Sequence, residues 1–384
     1  MNRRRFLKTL GGSGLVLAAT AGGLTQCDQM PEEAIQAWQG PQNSLTDREW
    51  ILSYALLAPN PHNMQSWIAD LREENVITLH ADGKRLLPET DPFARQITIG
   101  QGTFLELLDI AAKERGFRAD FTLYPEGTPS ENSLDIQGKP VARIQLQPDK
   151  AVQKDPLFSA ILNRRSTKDG YAETPLSVAH HEALKNEPLL AGQQTGFALT
   201  AEEVQPFRDF AGDAMLTEIK TPRTYIESIE RTRIGADEIK KYRDGIDLHG
   251  PLFWWLKALG QMTMEKAMTP GTGAYQGGID YALGWAKGTH GMGWLITDDN
   301  SRVAQVQAGR SYVRLNLLAT QLGVAMHPVS QILQEYPEMQ DLQHQFNQHL
   351  GIRATQKVQM FFRLGYQDSP SPSPRRNLAD IVRA

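Results

Sequence analysis

Apolar residues recur with helical spacing in two stretches that superimpose at a constant offset of 207 residues, GTFLELLDIAAKERGF (102–117) and GRSYVRLNLLATQLGV (309–324). Gly102 falls on Gly309, Leu108 on Leu315, Ile110 on Leu317, Ala112 on Ala319 and Gly116 on Gly323. Each stretch reads as an apolar helix that stops at a C′ glycine, where a left-handed backbone is needed. A strand pattern ending in aspartate precedes each one, VITLHAD before the first and GWLITDD before the second. Another strand pattern follows each, VARIQLQ (141–147) and VQMFFRLGY (358–366). The matching flanks predict a duplication: two similar α+β halves fused in one chain, 45–150 and 151–384.

The second half carries an insertion at about 200–290. It begins with a charged helical pattern, ESIERTRIGADEIKKYRDGID, which reads as a solvated face. PLFWWLKALGQMTMEKAM follows, then the loose TPGTGAYQGG. The FWW run is expected in the core, and a glycine-rich stretch beside an aromatic helix suits a lid over a pocket. In the first half, TDREWILSYALL has an N-cap at Thr46 and apolar residues at helical spacing. Pro59 and Pro61 stop that helix near Ala58. The stiff loop APNPHNMQSW (58–67) then presents amides and rings, as if to a ligand.

Forty basic and 44 acidic residues give a net charge of −4, and no basic stripe follows the first residues, so nucleic acid is not an expected partner. The single cysteine, Cys27, excludes an internal disulfide framework and a thiolate zinc site. NRRRFLK followed by TLGGSGLVLAATAGGL has the charged and apolar regions of an export signal, too short and glycine-rich to span a membrane. Arg3 and Arg4, with Phe6, Leu7 and Lys8, resemble a twin-arginine signal, which implies passage through that export machinery and a periplasmic protein. Residues 1–27 are read as the signal and 28–44 as a polar linker. Two ends of the signal stay open: cleavage after Ala21, or a lipobox in which a lipid on Cys27 provides the membrane attachment.

Several common sites are missing. GQGTFL lacks the third glycine of a dinucleotide fingerprint, and GTHGMG leads into a strand. There is no P-loop, no HExxH and no G-x-S-x-G elbow. His180 and His181 point to different sides of a predicted helix, and His344 and His349 are five apart, so no metal site is expected. What remains is NRRSTKDGY (163–171), placed after the predicted helix DPLFSAIL. Arg164, Arg165 and Lys168 set three cations beside the hydroxyls of Ser166 and Thr167, a combination that suits a phosphate or equally a solvated basic turn. The late pair Arg375 and Arg376 in SPSPRRN raises the same question.

RRSTK resembles the phosphate and ribityl contact motif of the FMN-dependent nitroreductase family. APNPHNMQSW resembles that family's flavin-ring loop, with Asn60 standing for its usual serine and Ser66 for its usual proline. Lys168 replaces the commoner arginine, keeping the charge but losing the fork. The resemblance implies an FMN site in a nitroreductase-like α+β fold. Arg164, Arg165, Ser166 and Lys168 would hold the phosphate and ribityl chain, aided by Arg375 or Arg376. Pro61, His62 and Asn63, with the backbone of Asn60, would face the ring, and Gln65 would reach its polar edge. The MHPVS segment (326–330), including Val329 and Ser330, resembles the stretch that offers a backbone donor near the ring. In that family two subunits share each flavin. Here the loop lies in the first half and the phosphate motif in the second, an arrangement similar to the Acg-like branch, in which one fused chain imitates the dimer under a lid.

These expectations amount to an exported FMN-binding oxidoreductase that reduces a small-molecule electron acceptor, such as a quinone or nitro compound, in alternating half-reactions. NAD(P)H is cytoplasmic, so a quinol-linked partner is the other donor to consider. The alternative is a protein that sequesters FMN beneath its lid with little turnover.

Overall fold

The computed structural model describes residues 28–41 and 45–383. The signal, including Arg3, Arg4, Ala21 and Cys27, lies outside the described residues. Eleven strands follow one another as β1 (Trp67–Asp70), β2 (Val76–Ala81), β3 (Phe117–Leu123), β4 (Pro140–Pro148), β5 (Gln193–Ala198), β6 (Thr232–Ile234), β7 (Ile246–Leu248), β8 (Gly291–Thr297), β9 (Ala325–Pro328), β10 (Lys357–Gly365) and β11 (Val382–Arg383). The first half forms a sheet of order β11-β1-β2-β4-β3 and the second a sheet of order β5-β8-β10-β9. Apart from β11 the two orders correspond strand for strand, β1 with β5, β2 with β8, β4 with β10 and β3 with β9. The duplication read from the sequence is therefore a duplication of topology. β11, from the end of the second half, crosses over and pairs parallel to β1, with Ala69 opposite Val382.

A long helix fills each half, Arg95–Glu114 and Arg302–Gln321, the first and second spine helices. Both start seven residues before the stretches expected from the sequence. Gly102 and Gly309, expected at helix starts, lie inside helices, where glycine is intrinsically unfavourable. Their role is steric. A Cβ on Gly102 would lie 1.9 Å from the Val306 carbonyl oxygen, and one on Gly309 would lie 2.0 Å from the Ile99 oxygen. The two contacts are related by the same 207-residue offset, so the helices cross about a pseudo-two-fold axis at backbone contact. Gly116 (φ 76°) and Gly323 (φ 68°) do end the helices as expected.

Two buried arginines, again 207 apart, bind the halves together. Arg95 donates to the Leu333 carbonyl, Gln359 Oε1 and Glu335 in the second half. Arg302 donates to the Ser130 and Ser133 carbonyls and to Thr98 Oγ1 in the first. Each is almost fully enclosed, at 1% and 0% exposure, so its polar partners are obligatory. Val306, Val313 and Leu317 of the second spine helix enter the first half's core, and Ile99 of the first enters the core around Tyr312 and Phe362.

Three expectations change. Residues 28–41 are not a linker: Glu32–Ile35 and Gln36–Gln39 are helical turns, and Trp38 is buried against the first half. DPLFSAIL, expected as an α-helix, is a 3-10 run, Pro156–Asn163. FWW is not core: nothing in the helix Pro251–Ala258 is buried. The insertion otherwise has the expected helical character, Ala201–Lys220 through Gly273–Lys287, with the small β6-β7 sheet between.

Replacing Gly309 with alanine drives a Cβ into the Ile99 carbonyl and is expected to cost about 3 kcal/mol. Urea denaturation checks this, and an unchanged midpoint would contradict backbone contact at the crossing.

Candidate functional site

The helix Asp47–Ala55 is capped by a Thr46–Glu49 capping box and ends, as the two prolines require, just before the loop at Ala58. The negative end of its dipole leaves the Leu57 carbonyl facing the interior, a favourable place for cations. Two arginines from distant parts of the chain meet there: Arg164 Nη2 donates to Leu57 O at 2.9 Å and Arg375 Nη2 to the same oxygen at 3.2 Å. Trp38 forms a wall of the site. The guanidinium carbons of Arg165, Arg375 and Arg164 lie 4.4, 4.9 and 5.5 Å from its ring centre.

Among the described residues no carboxylate pairs with any of the three arginines, although Arg164 is 2% exposed and Arg375 3%. Burial pushes Arg164 down to about 10. Burial lowers Arg375 well below the usual range, and Arg164 and Arg165 add to the effect. Both Nε–H groups are buried without an acceptor, as is the hydroxyl of Tyr312 beside Arg164. Three like charges with orphaned donors are unfavourable unless an anion joins them, and a phosphate is the group whose oxygens match such forks.

The pseudo-symmetric position shows the contrast. Asn316, which accepts from Arg164 Nη1 at 3.3 Å, corresponds under the offset to Asp109. There Arg310 and Arg314 are paired with Glu106, Asp109, Asp155 and Glu187. That cluster neutralises itself, whereas the cluster at Trp38 does not.

Arg164 and Lys168 are four residues apart along an irregular segment, which spans at most about 13 Å. Ser166 lies half-buried between them. Arg363, near the C-terminal end of β10, fixes the far end: its Nη2 donates to the Thr167 and Asp169 carbonyls, and the Thr167 amide donates to Met326 O. Lys168 makes no ion pair within 4 Å among the described residues. Burial lowers His62 and His327, and the Lys168 charge adds to both shifts; the Asp247 carboxylate is held below its usual range against burial by its hydrogen bond with His249 and by Lys168. Asp247 comes from β7 of the insertion, with His249 Nδ1 at 3.4 Å.

The loop 58–67 packs on the first spine helix, with Asn60 and Pro61 at contact distance from the place of a Cβ on Gly100 and the Pro59 carbonyl accepting from Thr103 Oγ1. His62, Asn63 and Gln65 all have positive φ, 47°, 51° and 52°, an arrangement ordinary side chains adopt only when the surroundings impose it. Asn60 Oδ1 accepts from the Gln65 amide and ties the loop to itself. Pro61 opens the 3-10 turn and His62 follows it, half-buried with Nδ1 lacking any partner.

Other predicted residues have different work. Asn63 is turned to the C-terminal segment, donating to Pro374 O and accepting from Arg375 Nη1. Gln65 is fully buried, its amide bound by Arg243 O and the Arg376 amide, so it does not reach toward a ring. Arg376 donates to Gln65 O and the Asp380 carbonyl, holding the loop and leaving Arg375 as the cation at Trp38. The Val329 amide donates to Phe361 O in strand pairing and its side chain is core, so it offers no free donor. Ser330 starts a 3-10 turn, and its carbonyl accepts from Gln96. His327, two residues before Val329, accepts at Nδ1 from Arg363 Nε at 3.3 Å.

Trp38, Tyr312, Arg363, His327 and Asp247 were not foreseen. Ala34, Ile35 and Trp38 have helical spacing within the supposed linker, a signal that was present. The others are apolar or strand positions whose convergence depends on packing. Among the described residues no cluster of histidine, cysteine or acid could hold a metal ion.

No protein-family model matches the chain, and no curated protein matches it. Among solved structures it is similar to the FMN- and NADPH-dependent nitroreductase NfnB from Sphigopyxis sp. strain HMH, at 16% identity and a TM-score of 0.38, over 60% of this chain and 99% of that one. It is likewise similar to a nitroreductase with bound FMN from Desulfitobacterium hafniense DCB-2, at 12% identity and a TM-score of 0.37, over 60% and 100%. A third is the FMN-dependent nitroreductase NfnB from Mycobacterium smegmatis in complex with NADPH, at 17% identity and a TM-score of 0.34, over 59% and 96%. These likenesses are distant, and the roles of the residues stand on this chain's own geometry.

Burial, with Lys168 and Arg231 nearby, pushes His62 down to about 4 from an ordinary 6.5. A depressed histidine is neutral in the folded protein, so the stability it contributes is present above pH 6.5 and is lost as pH falls toward 4. His62→Gln should flatten the pH dependence of stability across that window. Proton NMR titration of His62 near 6.5 would contradict its placement.

Proposed function

We propose that the protein is an FMN-binding oxidoreductase of nitroreductase-like architecture in which one fused chain builds a single composite site. The observation that carries the reading is the cluster of buried Arg164 and Arg375 with half-buried Arg165 around Trp38, which has no carboxylate partner among the described residues and two orphaned Nε–H groups. Arg164 and Arg375 would bind the FMN phosphate and Ser166 the ribityl chain. Lys168 would set positive charge at the polar edge of the ring, and Pro61 and His62 would form the wall beside it. When bound, FMN supplies hydride and single-electron chemistry that no side chain here provides.

The chain's own part is to orient that group and exclude water. The loop carrying Pro61 and His62 is held by packing on the first spine helix, and the segment carrying Ser166 and Lys168 is held by Arg363. The acceptor is a small electrophile, a quinone or nitro compound. The Arg3–Arg4 signal makes it an exported, periplasmic protein of the Acg-like kind, attached at Cys27 or released after Ala21. NAD(P)H or a quinol-linked partner would supply the electrons.

A second reading, sequestration of FMN with little turnover, is favoured by the way the insertion is fastened. The Gly245 amide donates to Asn63 O at 3.2 Å, and Gln65 donates to Arg243 O at 2.8 Å. Between them Asp244 takes an ion pair from Arg85 of the body and another from Arg233 of the insertion.

Each charge-assisted hydrogen bond lost at the phosphate or at the polar edge of the ring removes about 1.5 to 3 kcal/mol. Arg164→Ala and Lys168→Ala should therefore weaken FMN binding by about tenfold to a hundredfold each, read by fluorescence titration. Undiminished affinity in both would end the FMN assignment. Asp244→Ala unfastens the insertion. Faster reduction of a quinone in that variant would mean that the lid limits turnover. Equal rates in both proteins, with wild type fully active, would remove the sequestration reading.

A further inference from the structure

The helix Pro251–Ala258 presents PLFWWLKA without one buried residue. Of the seven tryptophans, only Trp254 and Trp255 are exposed, at 41% and 37%, their rings edge to face at 4.8 Å. Leu259 at 61% and Met264 at 40% continue the apolar surface. Such a patch has to be explained by what covers it.

Its position in the chain supplies the answer. Asp28 sits at the root of this helix: its carbonyl accepts from the Gly250 amide at 2.9 Å and its Oδ2 accepts from the same amide at 3.1 Å. Its Oδ1 accepts from the Ala236 amide at 2.6 Å and so caps Ala236–Tyr242. Asp28 is the first described residue of the chain, so the covalent attachment of the basic and apolar segment 1–27 falls at the root of the helix that carries Trp254 and Trp255.

A largely cationic cleft lies at the far end of the helix that Asp28 caps. Lys241 and Arg243, with Arg85, Lys240, Arg376 and the single acid Asp380, line a cleft of about 460 Å³ at the end of Ala236–Tyr242. Glu238 and Glu33 are neutralised by Lys257 and Lys240. Glu32, Asp237 and Glu265 are the acids left on the neighbouring helices, while Lys241 has no carboxylate partner among the described residues.

From these observations we infer that this face of the insertion docks on a bilayer of anionic phospholipid. Trp254, Trp255 and Leu259 enter the interfacial layer, where an indole has an apolar body and a wet N–H, and Lys241 and Arg243 meet headgroup phosphates. Among the described residues no helix is long and apolar enough to cross a membrane, so the contact is a surface one. The inference is independent of the flavin reading.

Flotation of the full chain, signal included, with phosphatidylglycerol–phosphatidylethanolamine vesicles tests it, because wild type and variants carry the same leading segment. Trp254→Ser/Trp255→Ser should cut the bound fraction by at least about tenfold, since two indoles lose their burial. Lys241→Glu should weaken binding to these vesicles and leave phosphatidylcholine binding unchanged. Brominated lipid should quench tryptophan fluorescence in wild type and not in the double variant, whose fold circular dichroism verifies. Equal flotation of wild type and double variant, no flotation of wild type, or absent quenching would overturn the proposal. So would a tryptophan-dependent dimer in solution whose vesicle binding is unaffected by the substitutions.

Discussion

The structure depends on two backbones touching where Gly102 and Gly309 pass each other. Any side chain there would separate the spine helices by more than an ångström. Arg95 and Arg302 would then lose the carbonyls they reach across the axis. Close helix contact is what lets each spine helix belong to two cores, so the halves do not behave as independent domains on a tether. β11 adds a second restraint, returning the chain's end to the first half's sheet.

The candidate site follows from that crossing. The loop 58–67 rests on the first spine helix at Gly100 and Thr103, while Arg164 is held from the second spine helix by Asn316. Arg375 arrives on the segment leading to β11. Three pieces from three parts of the chain thus converge on one carbonyl, Leu57 O, and one ring, Trp38. At the symmetry-related place the evolved charges are paired with carboxylates, which explains why duplication of the fold has not duplicated the site.

The insertion gives the site its other boundary. It brings Asp247 and His249 toward Lys168, and it is fastened at Asp244 and Gly245 to residues of the body. Burial, with Lys168, Arg231 and Arg363 nearby, disfavours charge on His62 and His327, so the end of the site near Lys168 holds neutral imidazoles. The end near Trp38 holds several cations and, among the described residues, no carboxylate paired with them. A ligand with an anionic head and a neutral polar ring matches that gradient in charge.

Much of this was legible in the sequence. The 207-residue offset, the strands flanking each helix, the C′ glycines and the proline stop before the loop are local or periodic signals, and local backbone physics enforces them. The cationic motif at 164–168 and the late arginines were visible as charges without partners. Sequence could not say that Gly102 and Gly309 are mid-helix crossing points, because propensity reads glycine as a boundary and only a neighbouring backbone makes it a necessity. Nor could it say which late arginine joins the cluster. Arg375 and Arg376 are equal in one dimension, and only the loop at Gln65 takes one of them away. Trp38 looked like part of a spacer and Trp254 like core, and their places were exchanged. Burial is a property of what lies opposite a side chain, and that is decided by tertiary structure alone.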